Sequence, residues 1–188
     1  MANWASTSYA VEGSKKTLEW IEKAVIESTV DNESRGWELD ILERLGVEYK
    51  SYHHLRGHVL EDSAKWKGEA LRFDAEEAWG LSDLGDCLKA AFPDIKVYWV
   101  VEESGCEVFC TNDAEGKYFP ERYWVDTAQD DIYRSEYFTT EEAMYKWLSE
   151  KYGVKDKDDL DAWNADYEAT GDDCENFIYI HEFEVVTE

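Results

Sequence analysis

The stretch "VYWVVEESGCEVFC" (residues 97–110) sets large apolar residues on either side of a Glu-Glu-Ser-Gly break and carries two cysteines after it. With Ile95 and Lys96 added, its first half alternates: Ile95, Val97, Trp99 and Val101 on one side, Lys96, Tyr98 and Val100 on the other. A period of two is that of a β-strand. "EESG" then reads as a turn and "CEVFC" as a returning strand, with Cys106, Val108 and Cys110 on one face and Glu107 and Phe109 on the other. At ~3.3 Å per residue the two cysteines lie about 13 Å apart along such a strand, too far for a disulfide or a shared metal. They are expected as small residues facing a core.

Upstream, Ser82 is placed to cap a helix over "DLGDCLKAAF" (83–92), with Leu84, Leu88 and Ala91 on one face and Pro93 at the exit. Before it, "LRGHVLED" (55–62) and "EALRFD" (69–74), separated by "SAKWKG", read as a hairpin. The chain opens on a strand, "ASTSYAVEG", followed by Ser14 as N-cap of a helix whose Leu18, Ile21 and Val25 recur at spacings of three and four. A shorter helix covers "GWELDILERLG", with Trp37, Ile41, Leu42 and Leu45 inward and Gly46 as its stop.

Downstream, "TNDAEG" is a turn and "YFPERYWVD" and "IYRSEYF" are strands joined across "TAQDD", with Pro120 suited to an edge or a strand start. Thr139 with Glu142 predicts a capped helix that buries Met144, Trp147 and Leu148 and ends at Gly153. "DKDDLDAWNADYEATG" (156–171) predicts an acidic helix, and "NFIYIHEFEVV" a closing strand. Strands and helices mix without a regular βαβ rhythm, so the expected class is α+β with an antiparallel sheet. Residues 1–188 read as one compact domain, with 141–188 packed on as an acidic subdomain.

The chain of 188 residues carries 44 acidic against 19 basic side chains, a formal charge of -25. Such a surface repels phosphate backbones and anionic lipid and attracts a basic partner. No basic N-terminal segment leads into an apolar run, and no apolar run approaches the ~20 residues of a membrane helix, so a cytoplasmic protein is expected. Cys87, Cys106, Cys110 and Cys174 form no CxxC pair. They read as thiols of a reducing compartment.

Three histidines fall in "YHHLRGH", namely His53, His54 and His58, with Asp62 nearby. On a helix His54 and His58 would share a face and could hold zinc, but Gly57 and Val59 argue for a loop entering a strand, where they diverge. "DKDDLD" (156–161) lacks the central Gly and terminal Glu of a calcium loop and suits an acidic first turn. The adjacent carboxylates Glu76–Glu77 and Glu102–Glu103 carry little signal in so acidic a chain. Nucleophile-elbow, Walker A and dinucleotide motifs are missing from the sequence. Tyr123, Tyr133 and Tyr137 alternate beside acidic neighbours, the composition of a protein-binding face.

The segments "MANW", "LRFDAEEAW" and "FPDIKVYWVVEESG", in that order and followed by a returning strand, resemble the YubB-type ferredoxin-like domain proteins, a plasmid- and phage-associated family of unknown function. The resemblance spans roughly residues 1–125. Ala5 stands where the family commonly has Cys, and "GLSD" replaces its proline-containing loop after Trp79. It implies a ferredoxin-like antiparallel sheet with helices on one face, here extended by a C-terminal helix pair and strand, and a mobile-element origin. No catalytic residue is carried over and no cofactor is expected. The functional expectation is a non-catalytic accessory protein that binds another protein, in its specific form an acidic inhibitor of a nucleic-acid-binding host protein. Asp156, Asp158, Asp159, Asp161, Asp172 and Asp173 would form its contact surface. The alternative is a metal-assisted hydrolase built on His53, His54 and His58.

Overall fold

The computed structural model describes residues 3–31, 33–129, 132–170 and 176–187, except for the side chains of residues 166–170. The fold is mixed α and β with five helices and antiparallel strand pairing, and it divides into two compact units, residues 1–114 with 186–188, and residues 115–185. No described helix is long and apolar enough to cross a membrane.

In the N-terminal unit the elements are β1 (Trp4–Glu12), α1 (Lys15–Thr29), α2 (Glu38–Leu45), β2 (Gly57–Val59), β3 (Lys65–Lys67), β4 (Ala70–Ala78), α3 (Leu84–Ala91), β5 (Lys96–Glu103) and β6 (Val108–Thr111). The strand order is β6-β5-β1-β4-β2, with β3 also on β4, and every pairing is antiparallel. β1 is central: Tyr9 lies opposite both Phe73 and Trp99. Its alternation sends Thr7, Tyr9 and Val11 into the core shared with Leu18, Ile21 and Val25 of α1, Ile41 and Leu42 of α2, and Leu84 and Leu88 of α3. Ser6 and Ser8 turn to the opposite face, where Ser8 Oγ donates to Asp74 Oδ1 at 2.6 Å.

Local signals act as the sequence suggests at several ends. Ser14 Oγ accepts the Thr17 amide at the start of α1, and Gly46 closes α2 in the left-handed conformation that glycine adopts without strain. Ser82 Oγ accepts the Leu84 amide at the start of α3. Other expectations are corrected. Glu102 and Glu103 stay in β5, opposite Phe109 and Val108, so the turn falls at residues 104–107, with Glu107 at φ 55°. Cys106 is thereby exposed in the turn and accepts from Asn3 Nδ2 at 3.1 Å, instead of facing a core. Cys110 is half-buried, whereas Phe109 and Thr111 are the buried residues of β6, which inverts the expected faces. Cys87 is the described thiol that is fully buried, and burial pushes its pKa up to about 12. "SAKWKG" contains β3, so two short strands line β4 where one arm of a hairpin was expected. Trp37 sits exposed at the N-terminus of α2 and Ala91 is exposed on α3.

The C-terminal unit contains β7 (Tyr123–Gln129), β8 (Ile132–Phe138), α4 (Glu141–Tyr152), α5 (Lys157–Thr170) and β9 (Phe177–Glu182), and its sheet has the order β8-β7-β9. Because β7 pairs with both β8 and β9, this unit starts at Glu115, well before the helices. Thr140, one residue beyond the expected Thr139, caps α4 by accepting the Ala143 amide, and Gly153 ends it in the left-handed region. Val125, Phe138, Met144, Leu148, Val154 and Ile178 form the core, ringed by Trp147, Tyr152 and Trp163. Asn164 of α5 grips the outer edge of β9: its Nδ2 donates to the Ile178 carbonyl at 3.0 Å and its Oδ1 accepts the Ile178 amide at 3.2 Å. Replacing it (Asn164→Ala) removes both bonds and is expected to cost about 1–3 kcal/mol. Denaturant unfolding measures that loss, and faster hydrogen exchange at the Ile178 amide locates it.

Candidate functional site

The open face of the C-terminal sheet is built by strand alternation. Across β8, β7 and β9, Tyr137, Trp124 and His181 form one row, Ser135, Asp126 and Tyr179 the next, and Tyr133, Ala128 and Phe177 the third. Trp124 stacks on His181 at 4.9 Å and on Tyr137 at 6.2 Å, Phe177 stacks on Tyr179 at 4.7 Å, and Tyr133 tilts against Phe177 at 6.4 Å. Helices cover only the other side of the sheet, so the rings stay accessible: Tyr133 is 66%, Tyr179 56% and Tyr137 43% exposed. Asp126, in their midst, has its carboxyl pKa raised by burial, an effect that the neighbouring His181 opposes. Aromatic faces attract cations through their negative quadrupole, and a carboxylate among them adds a charge partner. Of the tyrosines singled out in the sequence, Tyr133 and Tyr137 lie on this face. Tyr123 points to the helix side, half-buried.

The acidic run on α5 is divided between capping and exposure. Asp156 Oδ1 accepts the Asp159 amide at 2.9 Å and Asp159 Oδ2 accepts the Lys155 amide at 3.0 Å, so these two fix the helix start. Asp158 and Asp161 are exposed. Asp172 and Asp173 lie outside the described residues, as does Cys174.

The three histidines do not converge. The amides of His53 and His54 both donate to Asp83 Oδ2, at 3.0 and 2.9 Å, and His54 Nε2 is paired with the Ala78 carbonyl. His58 is on β2, on the opposite side of the sheet from the core, between Trp4 and Trp37 at 5.6 and 5.7 Å, with Nε2 3.5 Å from Glu76 Oε2. Among the described residues no group of three or more His, Cys, Asp or Glu is arranged to hold a metal ion. Nearby, the Arg56 guanidinium lies 5.2 Å over the ring of exposed Trp79.

Sequence reasoning set Glu77 aside as one of an adjacent carboxylate pair and did not find Glu38, its partner in a buried site. Glu38 of α2 and Glu77 of β4 are both fully buried. Glu77 accepts from Thr7 Oγ1 (2.6 Å), Tyr9 Oη and the Ser82 amide (3.0 Å), and Glu38 accepts from Ser82 Oγ (2.6 Å) and the Gly57 amide (3.1 Å). Burial, followed by the proximity of Glu77, raises the Glu38 pKa to about 9. Glu38 therefore keeps its proton at neutral pH and shares it with Glu77, while burial and the same carboxyls push the Tyr9 hydroxyl well above 10. Only glycine fits at position 57, because an added Cβ would lie 2.6 Å from Glu38 Oε1 and 2.9 Å from the Glu76 carbonyl oxygen. The signal was positional: Glu38 continues the Ile41, Leu42, Leu45 stripe and Glu77 continues the Leu71, Phe73, Ala75 alternation.

Comparisons of the chain with protein-family models, with curated proteins and with solved structures found no match.

The proton on Glu38 gives stability a definite pH dependence. Unfolded, this carboxyl ionises near 4.5, whereas folded it stays protonated to about 9. Between those values the native state binds one proton more than the unfolded state, so stability is full below pH 4.5 with respect to this group and declines as pH rises. Glu38→Gln, which keeps a donor toward Glu77, is expected to flatten that decline. Denaturant midpoints at intervals from pH 5 to pH 9 test this, and an equal slope in both proteins would refute it.

Proposed function

We propose that the chain is a non-catalytic binding protein that takes a basic protein partner on the aromatic face of its C-terminal sheet, drawn to it by the acidity of the chain, to which the exposed carboxylates of α5 contribute. The observation that carries this reading is the open platform of Trp124, Tyr133, Tyr137, Phe177, Tyr179 and His181 around Asp126. Exposed rings of this density are the composition of interaction hot spots. On a chain of net charge -25 the partner selected by long-range attraction is cationic. Lysine and arginine side chains suit this face, since their charge seats over rings and pairs with a carboxylate such as that of Asp126 among them. A single-stranded nucleic acid would also stack on such rings, but its phosphates meet an acidic surface.

The specific form of the reading is an accessory protein of a mobile element that occupies the basic cleft of a nucleic-acid-binding host protein. Its support is the acidity together with the resemblance of "LRFDAEEAW" and "FPDIKVYWVVEESG" to the YubB-type proteins. A ferredoxin-like topology for the N-terminal unit belongs to the same proposal. The order β5-β1-β4-β2, all antiparallel, with α1 following β1 and α3 following β4, supports it, and β6 would be an addition beside β5.

The experiment is retention of host proteins on the immobilised chain at low and high salt, alongside Tyr179→Ala with Asp126→Asn on the face and Asp158→Asn with Asp161→Asn on α5. A basic nucleic-acid-binding protein is expected to be held at low salt and released at about 0.5 M, where the screening length falls to a few ångströms. Its affinity should drop about tenfold or more in the Tyr179→Ala, Asp126→Asn variant and by less in the α5 variant, which acts only through long-range charge. Retention unchanged by both sets of substitutions would remove the basis of the reading.

A further inference from the structure

We infer that β8 is the seat of a two-fold homodimer, in which the β8 strands of two copies pair antiparallel about Ser135. This edge borders the aromatic face and shares Tyr133 and Tyr137 with it, but the inference does not rest on that reading.

β8 is an edge strand, and every residue from Ile132 to Tyr137 is exposed. At the other edge of the same sheet, Asn164 already pairs with the Ile178 backbone. The direction of the backbone groups follows from two bonds. The Arg134 carbonyl accepts from Thr127 Oγ1 of β7 at 3.2 Å, and the Phe138 carbonyl accepts the Arg122 amide at 2.8 Å. Even-numbered residues of β8 thus turn their peptide groups toward β7, and by alternation Tyr133, Ser135 and Tyr137 turn theirs outward. A row of outward amides and carbonyls on an exposed strand is a template for another strand.

The occupant is identified by the side chains. Read from either end, Ile-Tyr-Arg-Ser-Glu-Tyr-Phe gives the same pattern with its central charges exchanged. Antiparallel pairing about Ser135 sets Tyr133 opposite Tyr137 of the second copy, Arg134 opposite Glu136 of the second copy, and Ile132 opposite Phe138 of the second copy. The outward-turned residues 133, 135 and 137 then fall at the hydrogen-bonded pairs. Arg134 and Glu136 fall at the non-hydrogen-bonded pairs, where Cα atoms approach to about 4.5 Å and opposed side chains interact most closely. Sliding the register by two residues brings Arg134 against itself in one direction and Glu136 against itself in the other, so charge selects the register. Among the described residues neither side chain is engaged in an ion pair. An isologous interface demands this self-complementarity, and a foreign strand would meet it only by coincidence.

The net charge of -25 on each copy opposes association at a distance, so added salt should strengthen the dimer, the reverse of its effect on a basic partner. A seven-residue edge is a small interface, which places the equilibrium in the micromolar range or weaker. Sedimentation equilibrium of the full chain at about 0.1 M and about 0.5 M salt is expected to give a monomer–dimer equilibrium that shifts toward dimer at the higher salt. The Tyr133, Ser135 and Tyr137 amides should exchange more slowly as concentration rises. Arg134→Glu puts like charges opposite at both symmetric positions and should weaken the dimer about tenfold or more. Arg134→Glu combined with Glu136→Arg restores opposite charges across the two-fold axis and should recover the dimer, which an indirect effect of either substitution on folding would not do. A chain that sediments as a monomer at both salts up to millimolar concentration, a dimer indifferent to Arg134→Glu, or a double variant no better than the single one would each overturn the inference.

Discussion

Two carboxyl groups sharing one proton set the condition under which the N-terminal unit can close. An ionised pair without a counterion inside a core is prohibitively costly, so Glu38 and Glu77 are compatible with burial only while one of them is neutral. The remaining oxygens are then satisfied by four residues from three places in the chain: Thr7 and Tyr9 on β1, the Gly57 amide on β2, and Ser82 before α3. Each has to be in position for the others to be tolerated. The network therefore works as a register lock, fixing where α2 sits over the sheet and how β2 approaches β4 through a residue with no side chain.

The C-terminal unit solves a different problem. Three strands with helices on one side cannot bury the rings that alternate to the other side. Trp147, Tyr152 and Trp163 find places around the helix-side core, and Tyr133, Tyr137 and Tyr179 do not. Leaving such area in water costs solubility, and the dense acidic surface is one way to offset it. Acidity and aromatic content, unrelated in the composition, meet here in one arrangement.

How much of this was legible follows from the range of the interactions. Ser14, Gly46 and Gly153 act within a turn of their own position, and their roles were readable from local pattern. β1 and β5 alternate cleanly and were readable for the same reason. The position of the turn after β5 was not, because pairing of Glu102 with Phe109 and Glu103 with Val108 extends the strand through two charged residues that sequence assigns to a turn. That shift by two residues took Cys106 out of the strand. Glu38 and Glu77 are the clearest case: each breaks an apolar pattern, and only their meeting across 39 positions of sequence makes the breaks intelligible. The open aromatic face was half visible, since alternation found Tyr133 and Tyr137, but β9 had to be placed beside β7 before His181, Tyr179 and Phe177 could join them.

The amide of Asn164 has a consequence beyond the two bonds it makes. It imitates the edge of a strand, giving and taking one hydrogen bond at Ile178, and so fills the place of a neighbouring strand at that residue. An incoming strand is thereby turned away from β9 at Ile178, whereas β8 offers its margin freely; pairing there about a two-fold axis would use both copies' free margins at once and stop after a single step.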